Sequence, residues 1–333
     1  MPKCPDPHNE HGGPSLICLL TLLFNGFLND YYVPDSLTEV CTVPIPKSNV
    51  GDMASFSNYR PIALAAAISK LFEKCLYSLI SPQIDSSYYQ FRFKEGSSTE
   101  FCVFILKSVV QYFWIFSSPV FACFVDAKAA FDRVNLEKLL AKIDIKRDDR
   151  RIIGTLQYCF EVQHFKIKWS GYFSECFPVL NGVRQGGVLS LLLYNLYVDD
   201  LNLHLAKTGV GCFIGGVCFN NLSYADDLVI LAPTVAALNH LFSICDEFAS
   251  ANDIVFYTAK TQCMAFIHRG TPLKHIPMAW LSGVSLSFVG SFKYLGFTVV
   301  PTLSDELHVK ALSRSLCGRA NLLIQLTALR CTV

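Results

Sequence analysis

The spacing of apolar residues predicts helices and short extended pieces in the first third of the chain. Helical spacing covers residues 68–80 and 101–113, and an apolar run over 16–23 is typical of an amphipathic helix. Alternating residues predict a strand over 40–46. Pro61 favours extended backbone at the residue before it.

From about residue 120 the pattern predicts strands interleaved with helices. Residues 121–125 are all apolar, which is typical of a central strand covered on both faces. The next predictions are a helix over 136–143, a charged surface turn over 146–151, and a helix and a hairpin before 181. A helix over 188–205, hairpins over 212–219 and 222–231, and a helix from Thr234 to about 250 follow. Strands are then predicted over 254–257, 263–268, 284–288 and 294–300, and a helix from 304. Ser98 or Thr99, and also Thr234, are expected to cap helices. The order predicts an α+β fold, in which a split β-α-β motif forms an antiparallel sheet with helices on one face.

Three carboxylates stand out because this topology brings them together. The strand that precedes Asp126 ends where the hairpin carrying Asp226 and Asp227 has its tip. Neighbouring carboxylates repel one another unless a cation compensates their charge. Two Mg²⁺ ions about 3.5–4 Å apart suit such a site and can clamp both oxygens of a phosphoryl transfer. The dipeptide alone decides nothing, since Asp148-Asp149 and Asp199-Asp200 also occur and aspartate favours turns.

Composition limits the class of protein without identifying it. The 333 residues are 52% hydrophobic, enough for a large core or several fused subdomains, and the net charge of +1 gives no support for nucleic-acid binding. Fourteen cysteines without a C-x-x-C pair indicate reduced, buried thiols in an intracellular protein. Cys4, His8 and His11 have no evident fourth metal ligand, and residues 16–23 are too short to span a bilayer.

Several motifs, in one order along the chain, resemble those of reverse transcriptases from non-LTR (LINE-type) retrotransposons, in particular the jockey and chicken-repeat type. The motifs are Asn58-Tyr59-Arg60-Pro61-Ile62-Ala63-Leu64, Gln90-Phe91-Arg92-Phe93 with Gly96-Ser97-Ser98-Thr99, residues 124–134 around Asp126, residues 181–190, Tyr224-Ala225-Asp226-Asp227, Lys260 and Tyr294-Leu295-Gly296. The resemblance covers roughly residues 33–323. It implies a right-hand polymerase fold, with an N-terminal extension and helical or extended fingers over 1–118, a palm over 119–300 with an insertion at about 135–180, and a truncated helical thumb over 301–333.

The resemblance also implies an RNA-directed DNA polymerase, in which a primer 3′-hydroxyl attacks the α-phosphate of a dNTP on an RNA template. The implied metal ligands are Asp126, Ala127 (through its carbonyl), Asp226 and Asp227. Phe131 is implied to be a steric gate, and nucleotide and template contacts are implied at Gln185, Gly186, Gly187 and Tyr224. Arg60 and Lys47 are implied to bind the triphosphate, and Lys260 to donate a proton to pyrophosphate. Two Mg²⁺ ions, or Mn²⁺ in their place, are the implied cofactors. The implied partners are the RNA template, a DNA primer and dNTPs. The location is expected to be the nucleus or cytoplasm, without a membrane.

Each implied role has a plain structural alternative. Phe131 suits an ordinary hydrophobic core, and Arg60, Lys47 and Lys260 suit a solvated surface. At the level of the whole chain, the alternatives are a catalytically inactive relic that at most binds nucleic acid, and a viral-type RNA-dependent RNA polymerase. Phe131 and the Tyr-Ala-Asp-Asp box argue against the viral type.

The sequence departs from the motifs at a few positions. Ala129, Leu191 and Arg92 stand where the resembled family has lysine, proline and glycine, and Thr258-Ala259 replaces a common Asn-Pro or Asn-Ala before Lys260. None of these changes removes an implied metal ligand. Together they predict a diverged or decaying copy. By the standards of the resembled family, the chain is also expected to lack an endonuclease domain and a full thumb.

Overall fold

The structure, a computed structural model, describes residues 13–47, 52–84, 87–92, 98–146, 149–268 and 275–330. Its helices are α1 (Gly13–Asp30), α2 (Asp35–Thr38), α3 (Ala67–Ile80), α4 (Thr99–Ile115), α5 (Leu136–Lys146), α6 (Arg150–Glu161), α7 (Ser190–Lys207), α8 (Val235–Ala251) and α9 (Glu306–Arg330). Its strands are β1 (Val40–Pro46), β2 (Tyr59–Leu64), β3 (Val120–Val125), β4 (His164–Trp169), β5 (Tyr172–Phe173), β6 (Phe177–Pro178), β7 (Cys212–Ile214), β8 (Val217–Phe219), β9 (Asn221–Tyr224), β10 (Asp227–Ala232), β11 (Gln262–Phe266), β12 (Ala279–Leu281), β13 (Val284–Leu286), β14 (Phe292–Tyr294) and β15 (Phe297–Val299). None of these helices is long and apolar enough to cross a membrane.

The chain divides into two compact units, and each draws on two separate stretches of sequence. The first unit takes its residues from Met1–Ser86 and Ala129–Val198, and the second from Ser87–Lys128 and Asp199–Val333. The predicted bounds of fingers, palm and thumb were drawn from the sequence motifs, whereas the two units are defined by which residues pack together, so the units do not test those bounds. Those predicted bounds therefore stay a prediction.

The first unit is built on a sheet with the strand order β2-β1-β4-β5, with β6 also paired to β4. Strands β1 and β2 are antiparallel, and β1 and β4 are parallel. Helices α1 and α3 meet through three aromatic rings, since Phe24 and Phe27 lie with their ring centroids 5.1 and 5.3 Å from that of Phe72. All three rings are buried. The predicted helix near the start is confirmed, but its buried residues Phe24 and Phe27 lie after the predicted apolar run of 16–23. The large apolar residues of that run are exposed, namely Leu16, Ile17, Leu19, Leu22 and Leu23.

The second unit contains a four-stranded sheet with the order β11-β3-β10-β9. Strand β10 lies between β3 and β9 and is antiparallel to both, so β3 and β9 run parallel. This is the predicted split β-α-β arrangement. Every residue of β3 is buried, which confirms that the continuous apolar run forms a central strand.

Both faces of this sheet are covered by helix, so the prediction of helices on one face only is wrong. Phe121, Cys123 and Val125 pack on the side of α8, while Ala122 and Phe124 pack on the side of α4. Helix α4 buries five residues, namely Cys102, Val103, Leu106, Val109 and Val110. The apolar pattern of α4 predicted a helix. It could not predict that α4 covers the four-stranded sheet, because the strands of that sheet come later in the chain.

Other local predictions were confirmed or corrected by turn geometry. Ser98 and Thr234 cap α4 and α8, each accepting a hydrogen bond from a backbone N–H three residues on. The predicted single strand over 294–300 is instead the β14–β15 hairpin, because Leu295 (φ 47°) and Gly296 (φ 90°) turn the chain. The predicted strand over 254–257 is reduced to one isolated bridge at Phe256.

The cysteines only partly follow their prediction. All that the structure describes are free thiols, but Cys18, Cys75, Cys176 and Cys317 are exposed rather than buried. Cys4, His8 and His11 lie outside the described residues, as do Asp148 and, in the second motif, Phe93, Gly96 and Ser97.

Candidate active site

The second unit brings the three predicted carboxylates to one end of its sheet. Asp126 directly follows β3, and Ala225 and Asp226 form the two-residue turn between β9 and β10. Leu228 pairs with Val125, so the same antiparallel register sets Asp227 opposite Asp126. The pairing of β3 with β10 therefore brings Asp126 next to Asp226 and Asp227, as the topology predicted.

The backbone around Asp126 is held by the segment after α8. Tyr257 N–H donates to the carbonyl of Asp126 (2.7 Å), and Lys128 N–H donates to the carbonyl of Val255 (2.8 Å). The buried hydroxyl of Thr261 accepts from the N–H of Asp126 at 3.1 Å. This anchor at Thr261 was missed by sequence reasoning, because a hydroxyl that bonds a distant backbone group leaves no local signal.

The carboxylates influence one another electrostatically. Asp227 as a residue is exposed, yet its carboxyl group is crowded by neighbouring atoms, and this desolvation is the main cause that raises its pKa to about 6. The charges of Asp226 and Asp126 raise the pKa further, and the Arg92 guanidinium partly offsets them. The free energy of such a cluster falls when a cation lies among the carboxylates.

The turn between β9 and β10 rests on the segment that carries the Gln90 motif. Ala225 has a φ of 57°, a left-handed value that is uncommon for residues other than glycine, and its N–H donates to the side-chain carbonyl of Gln90 at 3.1 Å. Gln90 is fully buried. Ser223, in β9, exchanges backbone hydrogen bonds with Tyr89 and Phe91 on either side of Gln90. Gln90 thus supports the turn that carries Asp226, although the sequence indicated only its motif.

Arg92, the residue that replaces a motif glycine, lies beside this turn. Its guanidinium carbon is 5.3 Å from the centroid of the Tyr224 ring. Arg92 is not among the described residues with positive φ, so its backbone is not forced into a conformation that only glycine would favour.

A cleft with a volume of about 350 Å³ opens next to Asp126 and Asp227. Lys260 lines the same cleft, with its Nζ 5.0 Å from the ring centroid of Tyr257. Tyr294 also lines it, and its side chain is buried. Burial is the main cause that raises the pKa of Tyr294, and the charges of Cys102 and Asp227 add to it. The cleft therefore combines two carboxylates with one amine.

These residues fit a divalent cation by donor chemistry. Carboxylate oxygens suit Mg²⁺, which takes one or two protein carboxylates and fills its other positions with phosphate oxygens and water. Across the described ranges, no group of three or more His, Cys, Asp or Glu side chains is arranged around one ion position. The strand register that sets Asp227 opposite Asp126, with Asp226 in the adjoining turn, is the observation that favours a cation here.

The remaining predicted residues lie in the first unit. Phe131 is half-buried and stacks on Tyr194, with ring centroids 4.8 Å apart. Gln185 donates from Nε2 to Asp132 at 3.4 Å. Asp132 is exposed as a residue, but desolvation of its carboxyl group raises its pKa, which the Gln185 amide and the Lys47 charge partly offset. Lys47 therefore acts on the same carboxylate as Gln185.

Glycines 186 and 187 are held tightly by their surroundings. Gly186 has a φ of 101°, and a Cβ there would lie 3.2 Å from the carbonyl oxygen of Ala63.

Arg60 and Lys47 are exposed at one end of the β1–β2 pair, where Ile45 pairs with Arg60 and the N–H of Lys47 donates to the carbonyl of Asn58. The structure thus places six of the predicted residues in each unit.

Comparison with known proteins identifies the family. Residues 45–299 match the family described as reverse transcriptase (RNA-dependent DNA polymerase). The chain belongs to this family. Among curated relatives, it is 24% identical over 326 residues to the RNA-directed DNA polymerase from mobile element jockey of Drosophila funebris, covering 93% of this chain and 34% of the relative. It is 29% identical over 308 residues to the "probable RNA-directed DNA polymerase from transposon X-element" of Drosophila melanogaster, covering 88% of this chain and 32% of the relative.

A reverse transcriptase fold is also found among solved structures. Telomerase from Candida tropicalis, in complex with a TWJ fragment of telomeric RNA, aligns with a TM-score of 0.55 at 12% identity, over 86% of this chain and 48% of that one. This likeness shows the polymerase fold. The predicted membership of the non-LTR reverse transcriptases is confirmed by the jockey and X-element relatives. The chain spans about a third of the length of these curated relatives.

Proposed function

We propose that this chain is the polymerase core of a non-LTR retrotransposon reverse transcriptase, which extends a primer 3′-hydroxyl with dNTPs on an RNA template. The observation that carries the proposal is the convergence of Asp126, Asp226 and Asp227 at the end of a split β-α-β sheet. Family membership supports it independently. In this proposal the fingers, palm and thumb have the bounds 1–118, 119–300 and 301–333.

The carboxylates are proposed to hold the metals. Asp126 and Asp226 would hold the metals, with Asp227 and the backbone carbonyl of Ala127 in support. Two Mg²⁺ ions, or Mn²⁺, supply charge neutralisation for the attacking and leaving oxygens. Lys260, in the same cleft, donates a proton to the departing pyrophosphate. Tyr224 is proposed as a further substrate contact.

The first unit is proposed to select the nucleotide. Arg60 and Lys47 bind the triphosphate, since a guanidinium fork matches phosphate oxygens and both side chains are exposed. Gln185, Gly186 and Gly187 contact the incoming nucleotide and the template. The Phe131 ring, fixed by its stack on Tyr194, excludes a 2′-hydroxyl. The template–primer duplex is bound through its backbone and shape, without reading its sequence.

Primer extension tests the proposal directly. The assay uses purified chain, an RNA template with a DNA primer, dNTPs and Mg²⁺, with Asp226→Ala as the control. We expect extension by the wild type and a loss of at least about 10³-fold in the variant, because the variant lacks a charge needed in the transition state. No extension by a wild type shown to be folded would favour the inactive relic.

Nucleotide choice separates the reverse transcriptase from a viral-type RNA polymerase. We expect the wild type to prefer dNTPs and Phe131→Ala to accept rNTPs roughly tenfold better, because the ring no longer collides with the 2′-hydroxyl. The measurement is kcat/KM for each nucleotide class. A wild type that prefers rNTPs would contradict the proposal.

A further inference from the structure

A short loop in the first unit carries the proposed nucleotide contacts, and its backbone is closed at both ends. The N–H of Gly187 donates to the carbonyl of Arg184 at 3.0 Å, which makes residues 184–187 a tight turn. In the middle of the turn, the carbonyl of Gln185 accepts from the N–H of Ala63 in β2 at 2.7 Å. The hydrogen bond between Gln185 and Ala63 therefore attaches the loop to β2 through backbone atoms alone.

A single carboxylate contacts the residues on both sides of Gln185-Gly186-Gly187. Glu73, on α3, places Oε1 3.3 Å from Nη1 of Arg184 and accepts from the N–H of Val188 through Oε2 at 2.7 Å. The side chains of Glu73 and Arg184 are each only 13% exposed. One half-buried carboxylate thus contacts both the residue before the loop and the residue after it.

The Arg184 guanidinium is committed to this internal network. Besides Glu73, it donates to the side-chain carbonyl of Gln163 and to the carbonyl of Thr38, both at 3.4 Å. A guanidinium with three internal acceptors and little exposed surface is a poor phosphate ligand. Its charge is therefore available to hold Glu73 rather than a nucleotide.

The loop is closely packed while the network is intact. A Cβ on Gly187 would come within 2.5 Å of the Ser190 hydroxyl, and one on Gly186 within 3.2 Å of the Ala63 carbonyl. Close packing on both sides means that the loop occupies one position while Glu73 holds it. Without Glu73, the Val188 N–H and the Arg184 charge must find other partners, and the turn between them is then expected to move.

We propose that Glu73 and Arg184 are a positioning pair that sets the loop Gln185-Gly186-Gly187 for nucleotide binding. This inference rests on the proposed function, in which that loop contacts the incoming dNTP. The pair does not touch the nucleotide. Its effect is therefore expected mainly in the KM for dNTP, with a smaller effect on kcat.

The test compares truncation with an apolar replacement of the whole pair. Glu73→Ala leaves a buried arginine unpaired and can fail to fold, whereas Glu73→Met/Arg184→Met removes both charges and keeps the volume, a change that buried ion pairs often tolerate. We expect the double variant to unfold near the wild-type temperature but to raise the KM for dNTP on the order of tenfold, with kcat changed less than about threefold. Hydrogen exchange at the amides of residues 185–188 is expected to be faster in it.

Arg151→Gln is the matched control, since it breaks an exposed ion pair with Asp149 in the same unit. It should leave KM and exchange at 185–188 unchanged. A folded double variant with wild-type KM and wild-type exchange would overturn the positioning role. If the wild type does not extend primers, the proposed function fails, and exchange alone decides the pair: faster exchange supports it and unchanged exchange overturns it.

Discussion

Tyr294 is a buried residue at the cleft whose hydroxyl has no hydrogen-bond partner among the described residues. A buried hydroxyl without a partner lowers stability by roughly 1–3 kcal/mol, whereas a paired one raises it. We therefore expect Tyr294→Phe to raise the free energy of unfolding by about 1 kcal/mol, measured by thermal denaturation. Tyr59→Phe is the control of opposite sign, because the Tyr59 hydroxyl donates to the carbonyl of Met53 at 2.9 Å. Destabilisation by Tyr294→Phe would show that the hydroxyl has a partner after all.

Asp227 is predicted to destabilise the metal-free fold at neutral pH. Its folded pKa, about 6, is raised above the ordinary value of 3.8, so its contribution favours the folded state below about pH 4 and is lost as the pH rises through 6. In buffer with a chelator, Asp227→Asn should therefore be more stable than the wild type at pH 8, on the order of 1 kcal/mol after solvent screening. At pH 3.5 the two should be equal.

The control for Asp227→Asn is Asp52→Asn, which removes one negative charge at an exposed turn in the other unit. It should show no such gain at pH 8. A gain for Asp227→Asn that is the same at both pH values would contradict the electrostatic explanation and point to packing.

At the scale of elements, two backbone segments far apart in the sequence fit together at Gly182. Its N–H donates to the carbonyl of Val134, and that of Val183 donates to the carbonyl of Phe131, both at 2.8 Å. A Cβ on Gly182 would lie 2.8 Å from backbone atoms of Asp132. The motif around Gly182 thus directly supports the proposed steric gate.

Gly182→Ala is expected to cost about 3 kcal/mol or more, because the new methyl group meets backbone that cannot move aside. Gly171→Ala is the matched control: both glycines have positive φ, 94° and 88°, but the space around Gly171 is open. The control should cost only about 1 kcal/mol, the strain of a left-handed alanine. Equal losses in the two variants, measured by chemical denaturation, would remove close packing as the cause.

The sequence predicted those elements whose signals are local. The apolar run of β3 and the caps at Ser98 and Thr234 are written within a few residues, and each was confirmed. The turn at Leu295 and the face covered by α4 could not be predicted, because a left-handed leucine and a helix–sheet contact depend on residues elsewhere. Local patterns therefore identify an element, whereas its partner and its exact ends depend on the rest of the fold.

The candidate site shows the same limit. Asp126, Asp226 and Asp227 were predictable because topology and motif agree on them. Thr261, Gln90 and Glu73 were not, because their side chains act on backbone N–H groups 50 or more residues away. Supporting residues of this kind carry no pattern that could be recognised before the fold is known.

At the scale of the whole molecule, the net charge of +1 means that nucleic acid is not attracted by an overall positive field. Binding must come from local contacts to phosphates, whose strength falls with the logarithm of salt concentration. We expect the affinity for an RNA–DNA duplex, measured by fluorescence anisotropy, to fall at least about tenfold between 50 and 200 mM KCl. Two unrelated sequences of equal length should give the same affinity. A sequence-dependent affinity would contradict recognition by backbone and shape.

The same titration can separate a triphosphate site from a duplex site. Lys47 and Arg60 are proposed to bind the triphosphate of the dNTP and no duplex phosphate. The double variant Lys47→Ala/Arg60→Ala should therefore keep the salt slope of duplex binding, while its KM for dNTP rises on the order of tenfold. If the two side chains bind the duplex instead, the slope should become shallower by about one to two, since each lost phosphate contact removes nearly one counterion. That outcome, with an unchanged KM for dNTP, would move both residues from nucleotide binding to template binding.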